Sequence, residues 1–72
     1  MTPQELHAWR EALGLTQRAA AAQLGMTLPT YQRLERGSDW QTDKPVRITR
    51  AVALACAAIR AGLAPEGEDV AA

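Results

Sequence analysis

The sequence contains no phenylalanine, one cysteine and one histidine among its 72 residues. The single Cys56 cannot form an internal disulfide, which is typical of proteins from a reducing compartment. His7 has no second metal ligand or nucleophile near it in the sequence, so we expect it to be a surface residue. These absences predict that the protein is not an enzyme and has no catalytic residues, no metal site and no cofactor.

Long hydrophobic runs are also missing, since no stretch approaches the roughly 20 apolar residues that span a bilayer. We therefore expect a cytoplasmic protein with no membrane partner and no small-molecule ligand. The eight basic and eight acidic residues cancel overall. Five of the acids lie with all eight cations in residues 1–63, and three lie in the last nine, which leaves +3 and −3 respectively. An attraction of residues 1–63 to phosphate is compatible with this distribution.

Alanine and leucine are abundant, and no stretch alternates in the manner of a strand, which indicates an all-α fold. A first helix is predicted over residues 2–13. Thr2 and Glu5 have the spacing of a capping box, while Leu6 and Trp9 begin an apolar stripe.

Two short helices are predicted between Thr16 and Gly37. Thr16 is a good N-cap for the first, and Gly25 ends it by adopting the left-handed conformation that other residues resist. Thr27 caps the second helix, and Gly37 ends it. Two helices joined by so short a turn form a helix-turn-helix arrangement.

The second of these helices, at about residues 28–36, has two chemically different faces. Tyr31 and Leu34 form an apolar face, and the opposite face carries amide and guanidinium groups, from Gln32, Arg33 and Arg36. A helix packed on one side only, with such groups on the other, suits the major groove of DNA. Arg33 can donate two hydrogen bonds to guanine, and Gln32 can pair with adenine.

Three segments resemble the lambda-repressor-like (Xre or Cro-type) helix-turn-helix family in residue type and spacing: Leu15-Thr16-Gln17, Leu24-Gly25-Met26-Thr27 and Leu34-Glu35-Arg36-Gly37. The resemblance covers about residues 3–60. It implies a compact bundle of four to five helices that binds operator DNA, usually as a dimer, and regulates transcription. The short chain is also similar to small phage-type autoregulators, including anti-CRISPR-associated repressors.

The resemblance implies roles for individual residues. Gln17 matches a family glutamine that contacts the DNA backbone, and Arg10 with Glu35 matches a structural ion pair. Positions that the family turns toward the groove are occupied here by Thr27, Leu28, Gln32 and Arg33. Because Leu28 departs from the commoner polar residue, we expect it to contact a thymine methyl group rather than to form a hydrogen bond.

Further contacts with the DNA backbone are expected from the remaining basic residues near the helix-turn-helix. The candidates are Arg18, Arg36, Lys44 and Arg47, with Ser38, Gln41 and Thr42 as neutral donors. Trp40 lies among them in a polar loop and is expected to fold back onto the domain, the alternatives being an anchor for a dimer or a contact along DNA.

A long last helix is predicted from near Pro45 to about Ala61. Its apolar stripe has the 4-3-4 spacing of a coiled-coil seam and consists of Ile48, Val52, Ala55 and Ile59. A second apolar face adjoins this stripe, so we expect the helix to form a homodimer interface. Residues 1–63 would then form the DNA-binding domain with its dimerisation helix, and residues 64–72 a disordered acidic tail.

The function predicted from these features is that of a dimeric repressor, which binds an inverted-repeat operator in double-stranded DNA. Two alternatives remain open. One is the DNA-binding antitoxin of a toxin–antitoxin pair, and the other is a helical protein-interaction module that does not bind DNA.

Overall fold

The computed structural model describes residues 1–67, and in that range it contains four helices. They are α1 (Pro3–Ala12), α2 (Gln17–Leu24), α3 (Leu28–Arg36) and α4 (Arg50–Arg60). The prediction of a compact all-α bundle is confirmed. None of the helices in this range is long and apolar enough to cross a membrane. The predicted tail lies partly outside the described residues, and its described portion, residues 64–67, is exposed and not helical.

Each of the four helices begins at a threonine whose side-chain oxygen accepts a hydrogen bond from the backbone three residues further on. The four caps are Thr2, Thr16, Thr27 and Thr49. Threonine suits this position because its hydroxyl satisfies one of the backbone N–H groups that the first turn leaves unpaired. Only α1 also has an acidic residue in its first turn, Glu5, which completes the predicted capping box.

Glycines end the two helices of the central motif, as predicted. Gly25 has φ 73° after α2, and Gly37 has φ 84° after α3. At Gly37 space as well as conformation requires glycine, since an added Cβ would lie 3.0 Å from Cγ of Pro3. The end of α3 therefore lies close to the start of α1.

The core lies where α3 packs against α1 and α2, and α2 packs in turn against α4. Its buried residues come from all four helices and the segment before α4: Leu6, Trp9, Ala20, Ala21, Tyr31, Leu34, Ile48 and Cys56. The alanines of α2 let the neighbouring helices approach closely. Trp9 Nε1 donates a hydrogen bond of 2.9 Å to the backbone oxygen of Cys56, which joins α1 to α4.

The prediction that the last helix begins near Pro45 is wrong, because α4 begins only at Arg50 and is 11 residues long. Pro45 instead forms an isolated antiparallel bridge with Ser38. The next amide, Val46 N, donates to Gly37 O at 3.0 Å. These bonds hold the chain extended after the loop, and the helix starts where Thr49 can cap it.

Trp40 does not enter the core, and 47% of its surface remains exposed. The guanidinium carbon of Arg36 lies 5.9 Å from the centre of the indole ring. A cation over the face of an indole is attracted by the ring's quadrupole, although the gain at an exposed site is only about 0.5–1 kcal/mol. The loop tryptophan therefore packs against the end of α3 rather than the core.

Candidate nucleic-acid interface

Helix α3 is packed on one side only, as the sequence predicts for a recognition helix. Tyr31 and Leu34 are buried, whereas Gln32 and Arg33 are half-buried and Arg36 is exposed. At the start of the helix Thr27 is exposed and Leu28 is half-buried. The residues predicted to contact bases thus retain surface that a duplex can reach.

A cluster of hydrogen bonds around Glu35 fixes the inner side of α3. The ion pair predicted between Arg10 and Glu35 is present, with Arg10 Nε 2.7 Å from Glu35 Oε2. The side chains are only 14% and 7% exposed, respectively. Tyr31 donates its hydroxyl to Glu35 Oε2, and Gln17 Nε2 donates to Oε1 at 3.1 Å. His7 Nδ1 lies 3.2 Å from the same Oε1. One carboxylate therefore joins the first three helices.

The hydrogen bonds to Glu35 determine its charge state. Burial alone would raise the pKa of this carboxyl group, but the donors from Arg10, Tyr31 and Gln17 outweigh it and lower the pKa to about 2. The same contact with Glu35 raises the pKa of Arg10. Burial, followed by the bond to the carboxylate, raises the pKa of Tyr31. Glu35 is consequently ionised at neutral pH and acts only as an acceptor.

The side chain of Gln17 connects this cluster to the outer face of α3. Its Nε2 donates to Glu35, and its Oε1 accepts a hydrogen bond of 3.3 Å from Gln32 Nε2. Because Glu35 can only accept, Gln17 must turn its Nε2 inward and its Oε1 toward Gln32. The amide of Gln32 is oriented in turn, although the bond to Gln17 occupies one of its donors.

Arg33 lies beside an acidic residue from the loop after α3. Its Nε lies 3.6 Å from Asp39 Oδ2, and the two side chains are 32% and 27% exposed. The Nε atom is buried and forms no hydrogen bond with any described residue. The inner edge of the guanidinium group thus faces the loop, which leaves its two terminal nitrogens for the solvent side.

The electrostatic character of this face is positive. Along α2, α3 and the start of the following loop, the cations are Arg18, Arg33 and Arg36. The acids are Glu35, which Arg10 neutralises, and Asp39, which offsets Arg33, so Arg18 and Arg36 remain as the excess positive charge. Neither α2 nor α3 has an acid in its first turn, so the positive ends of both helix dipoles remain uncompensated. Such helix ends favour phosphate groups.

The residues predicted to contact the DNA backbone all keep some exposed surface. Arg18, Arg36, Gln41, Lys44 and Arg47 are exposed, and Gln17 and Ser38 are half-buried. Ser38 Oγ accepts a hydrogen bond of 3.2 Å from Arg36 Nε, so these two side chains restrain each other.

The stripe predicted to form a dimer interface faces the core of the single chain. Ile48 is 8% exposed and belongs to the core, and Val52 and Ile59 are half-buried against it. Ala55 and Ile59 line a shallow groove with Leu24. Because α4 starts after Ile48, the four residues do not lie along one helix, and Ile48 has little surface left for a second chain.

Sequence reasoning missed three contributors to this site. The sequence places Tyr31 on the apolar face of the helix but gives no role to its hydroxyl group. The spacing of four residues between Tyr31 and Glu35 puts both on one helix face, which could have indicated the contact. His7 lies on the surface, as the sequence predicts, but its contacts with Glu35 and Glu11 were not predicted. Asp39 carried no signal at all, because its contact with Arg33 depends on how the following loop closes.

A family model described as helix-turn-helix matches residues 6–57, well over half of the chain. No curated protein and no solved structure matches the chain. The matched range begins within α1 and ends within α4, so it includes the Glu35 cluster, the outer face of α3 and the loop that carries Asp39.

Proposed function

This chain belongs to the helix-turn-helix family and is a DNA-binding transcription regulator of the Xre, lambda-repressor-like type; from that premise we propose that it is a dimeric repressor of an inverted-repeat operator. The family is generally non-enzymatic. The observation that carries the proposal is the outer face of α3, on which Gln32 is hydrogen-bonded to Gln17 and Arg33 forms an ion pair with Asp39. Preorganised donors lose less conformational freedom on binding.

Arg33 and Gln32 read base edges, while Thr27 and Leu28 contact the groove at the start of α3. A bidentate contact between Arg33 and guanine is worth about 1–3 kcal/mol of discrimination against other bases. Gln17 and the exposed cations Arg18, Arg36, Lys44 and Arg47 bind phosphates, and Ser38 and Gln41 assist as neutral donors. These contacts position the protein but carry no sequence information.

Selection of bound duplexes from a random pool tests specificity and symmetry together. We expect an inverted repeat with half-sites about one helical turn apart, because a two-fold dimer presents its two recognition helices symmetrically. A pool that yields no enriched sequence contradicts sequence-specific binding. Enrichment of a single, unrepeated site contradicts only the dimer.

Two matched variants then distinguish the loss of a base contact from the loss of one positive charge. Arg33→Ala should weaken binding to the selected operator by about 5- to 100-fold and affect random DNA much less, since its contact is to a base. Arg60→Ala removes the same charge from an exposed position on α4, away from α3, and should change neither affinity strongly. If Arg33→Ala reduces the affinity for operator and for random DNA equally, Arg33 does not read a base.

The phosphate contacts predict a strong dependence on salt. Each neutralised phosphate contributes about 0.9 to the slope of log affinity against log salt concentration. Arg18→Ala should therefore reduce the slope by about one and weaken operator and random DNA equally. A titration that shows no dependence on salt would exclude the duplex as partner.

Because Ile48 lies in the core, we place the dimer contact on the outward face of α4. This face exposes Leu54, with 58% of its surface accessible, and Leu63 follows the helix with 65% accessible. We propose that these exposed leucines supply apolar contacts to the second chain. Sedimentation of the wild-type chain at micromolar concentration, with and without operator, should show a dimer, and Leu54→Glu should shift it toward monomer.

A further inference from the structure

We propose that Asp39 is the residue that positions Arg33 for its base contact, so that a carboxylate in the loop after α3 determines specificity without itself touching DNA. The inference rests on the proposed function, since it concerns the same recognition surface. Its basis is the position of Asp39 Oδ2, 3.6 Å from the buried Nε of Arg33.

Asp39 can orient Arg33 because Asp39 is itself held in place. Its Oδ1 accepts a hydrogen bond of 2.8 Å from Gln41 N. Its backbone N–H donates to Lys44 O at 2.9 Å, and its backbone oxygen accepts from Asp43 N. The loop is closed at its base by the bridge between Ser38 and Pro45. The second carboxylate oxygen, Oδ2, therefore points toward α3 from a fixed position.

The guanidinium group of Arg33 can meet guanine through either of two edges. One edge combines Nε with one terminal nitrogen, and the other consists of the two terminal nitrogens. Asp39 faces the Nε edge and leaves the terminal pair outward, where it can donate to O6 and N7 of one guanine. The carboxylate also offsets the charge of Arg33, which reduces its attraction to phosphates that carry no sequence information.

The loop offers a matched control for a test of this role. Asp39→Asn and Asp43→Asn remove the same charge from the same loop, and Asp43 is exposed and makes no ion pair with Arg33. In Asp39→Asn the side-chain amide can still accept from Gln41 N through its oxygen, but it then turns its NH₂ group toward Arg33. Asparagine also tolerates the positive φ of 58° at position 43. Thermal unfolding of both variants checks that the loop remains folded.

Affinities are measured for the duplex selected by the wild type and for its single-base-pair variants. Arg33→Gln first identifies the base pair that Arg33 reads, as the position where discrimination is lost. Both loop variants should bind all duplexes somewhat more tightly, because each removes a negative charge. Only Asp39→Asn should reduce discrimination at the Arg33 position, by about fivefold or more, the lower limit for a bidentate contact.

A double variant distinguishes positioning from a general effect on the loop. In the Arg33→Gln background, Asp39→Asn should cause no further loss of discrimination at that base pair. If Asp39→Asn and Asp43→Asn have the same discrimination profile, the positioning role is overturned while the proposed function stands. If the wild-type chain selects no sequence, both proposals fail.

Discussion

Helices α1–α3 and the region from Gly37 to Arg60 contribute to one core, but different interactions hold them there. The first region is joined by polar groups that converge on Glu35, with donors from Arg10, Gln17 and Tyr31. The second is joined mainly by apolar side chains from Ile48 to Ile59. Its polar contacts with the helices are the hydrogen bond from Trp9 to the backbone of α4, the bond from Arg36 to Ser38 and the ion pair of Arg33 with Asp39. Gln32 and Arg33, which we propose to read bases, belong to the region with the polar contacts.

This difference shows that the two kinds of contact have different roles: the hydrogen bonds orient helices and side chains, and the apolar contacts hold the helices together. Hydrogen bonds are directional, so the Glu35 cluster fixes the rotation of α3 and, through Gln17, the amide of Gln32. Apolar burial is non-directional and stabilises the position of α4 without specifying each contact. A region that must present side chains at defined angles benefits more from the first kind of interaction.

The largest effect is expected from breaking the polar region at Arg10. Arg10→Met leaves the carboxylate of Glu35 buried without its cation, and loss of one partner of a buried pair costs about 3–5 kcal/mol of unfolding free energy. Urea denaturation followed by circular dichroism measures the cost. Arg60→Met, at an exposed position, is the control, and an equal loss in both variants would show that the ion pair does not stabilise the fold.

The next largest loss of stability is expected from a substitution in the apolar region, at Ile48. Ile48→Ala removes a buried side chain and should cost about 2–5 kcal/mol, whether or not the protein dimerises. Leu54→Ala is the matched control, because Leu54 is mostly exposed and its truncation should change the stability of the monomer little. Dilution to a concentration at which only monomer sediments separates folding from association. A small cost for Ile48→Ala would contradict its place in the core.

A fall in pH should reduce the stabilisation that the hydrogen bonds to Glu35 provide, and it should not change the contribution of the apolar contacts. The pKa of Glu35 is about 2 in the folded protein, against 4.5 as its ordinary value. The unfolded state therefore binds more protons between these values, and the stabilisation, present above about pH 4.5, is lost as the pH falls toward 2. The loss has an upper limit of about 3 kcal/mol. Glu35→Gln should flatten this part of a plot of melting temperature against pH, and an unchanged slope would contradict the assignment.

The smallest expected effect concerns the residue at which α4 begins. Here the sign of the change in unfolding free energy decides between two starting points. Thr49→Ala removes the N-cap of a helix that starts at Arg50 and should cost about 1 kcal/mol. If the helix began near Pro45, position 49 would lie inside it, and alanine would stabilise by a few tenths of a kcal/mol. Thermal unfolding decides between the two, with Thr49→Ser as the variant that keeps the capping hydroxyl.

The comparison also explains how far the sequence predicts this fold. In α1–α3, each start and stop is marked by a residue whose local chemistry agrees with the tertiary structure, as at Thr16 and Gly25. After Gly37 the local signals conflict, because Pro45 suits a first helical turn and Thr49 suits a cap. The bridge between Ser38 and Pro45 decides the conflict, and no local pattern reveals it.

The candidate site was predictable to a similar degree. The faces of α3 follow from the spacing of Tyr31 and Leu34, and the Arg10–Glu35 pair follows from the family resemblance. The hydrogen bond from Gln32 to Gln17 and the ion pair of Arg33 with Asp39 were not predictable, since each depends on a side chain from another element. Periodicity tells which face a residue occupies, but not which neighbour restrains it.

The uncharged caps of the helices have an electrostatic consequence beyond folding. In α1 the carboxylate of Glu5 lies within the first turn, so this helix carries its own counter-ion. The threonines that begin α2 and α3 stabilise those helices without supplying one, and an aspartate there would cap equally well while repelling a nucleic acid. A duplex bound across α2 and α3 would bring its phosphates to these two helix ends, where the unpaired backbone N–H groups and the helix dipole favour negative charge.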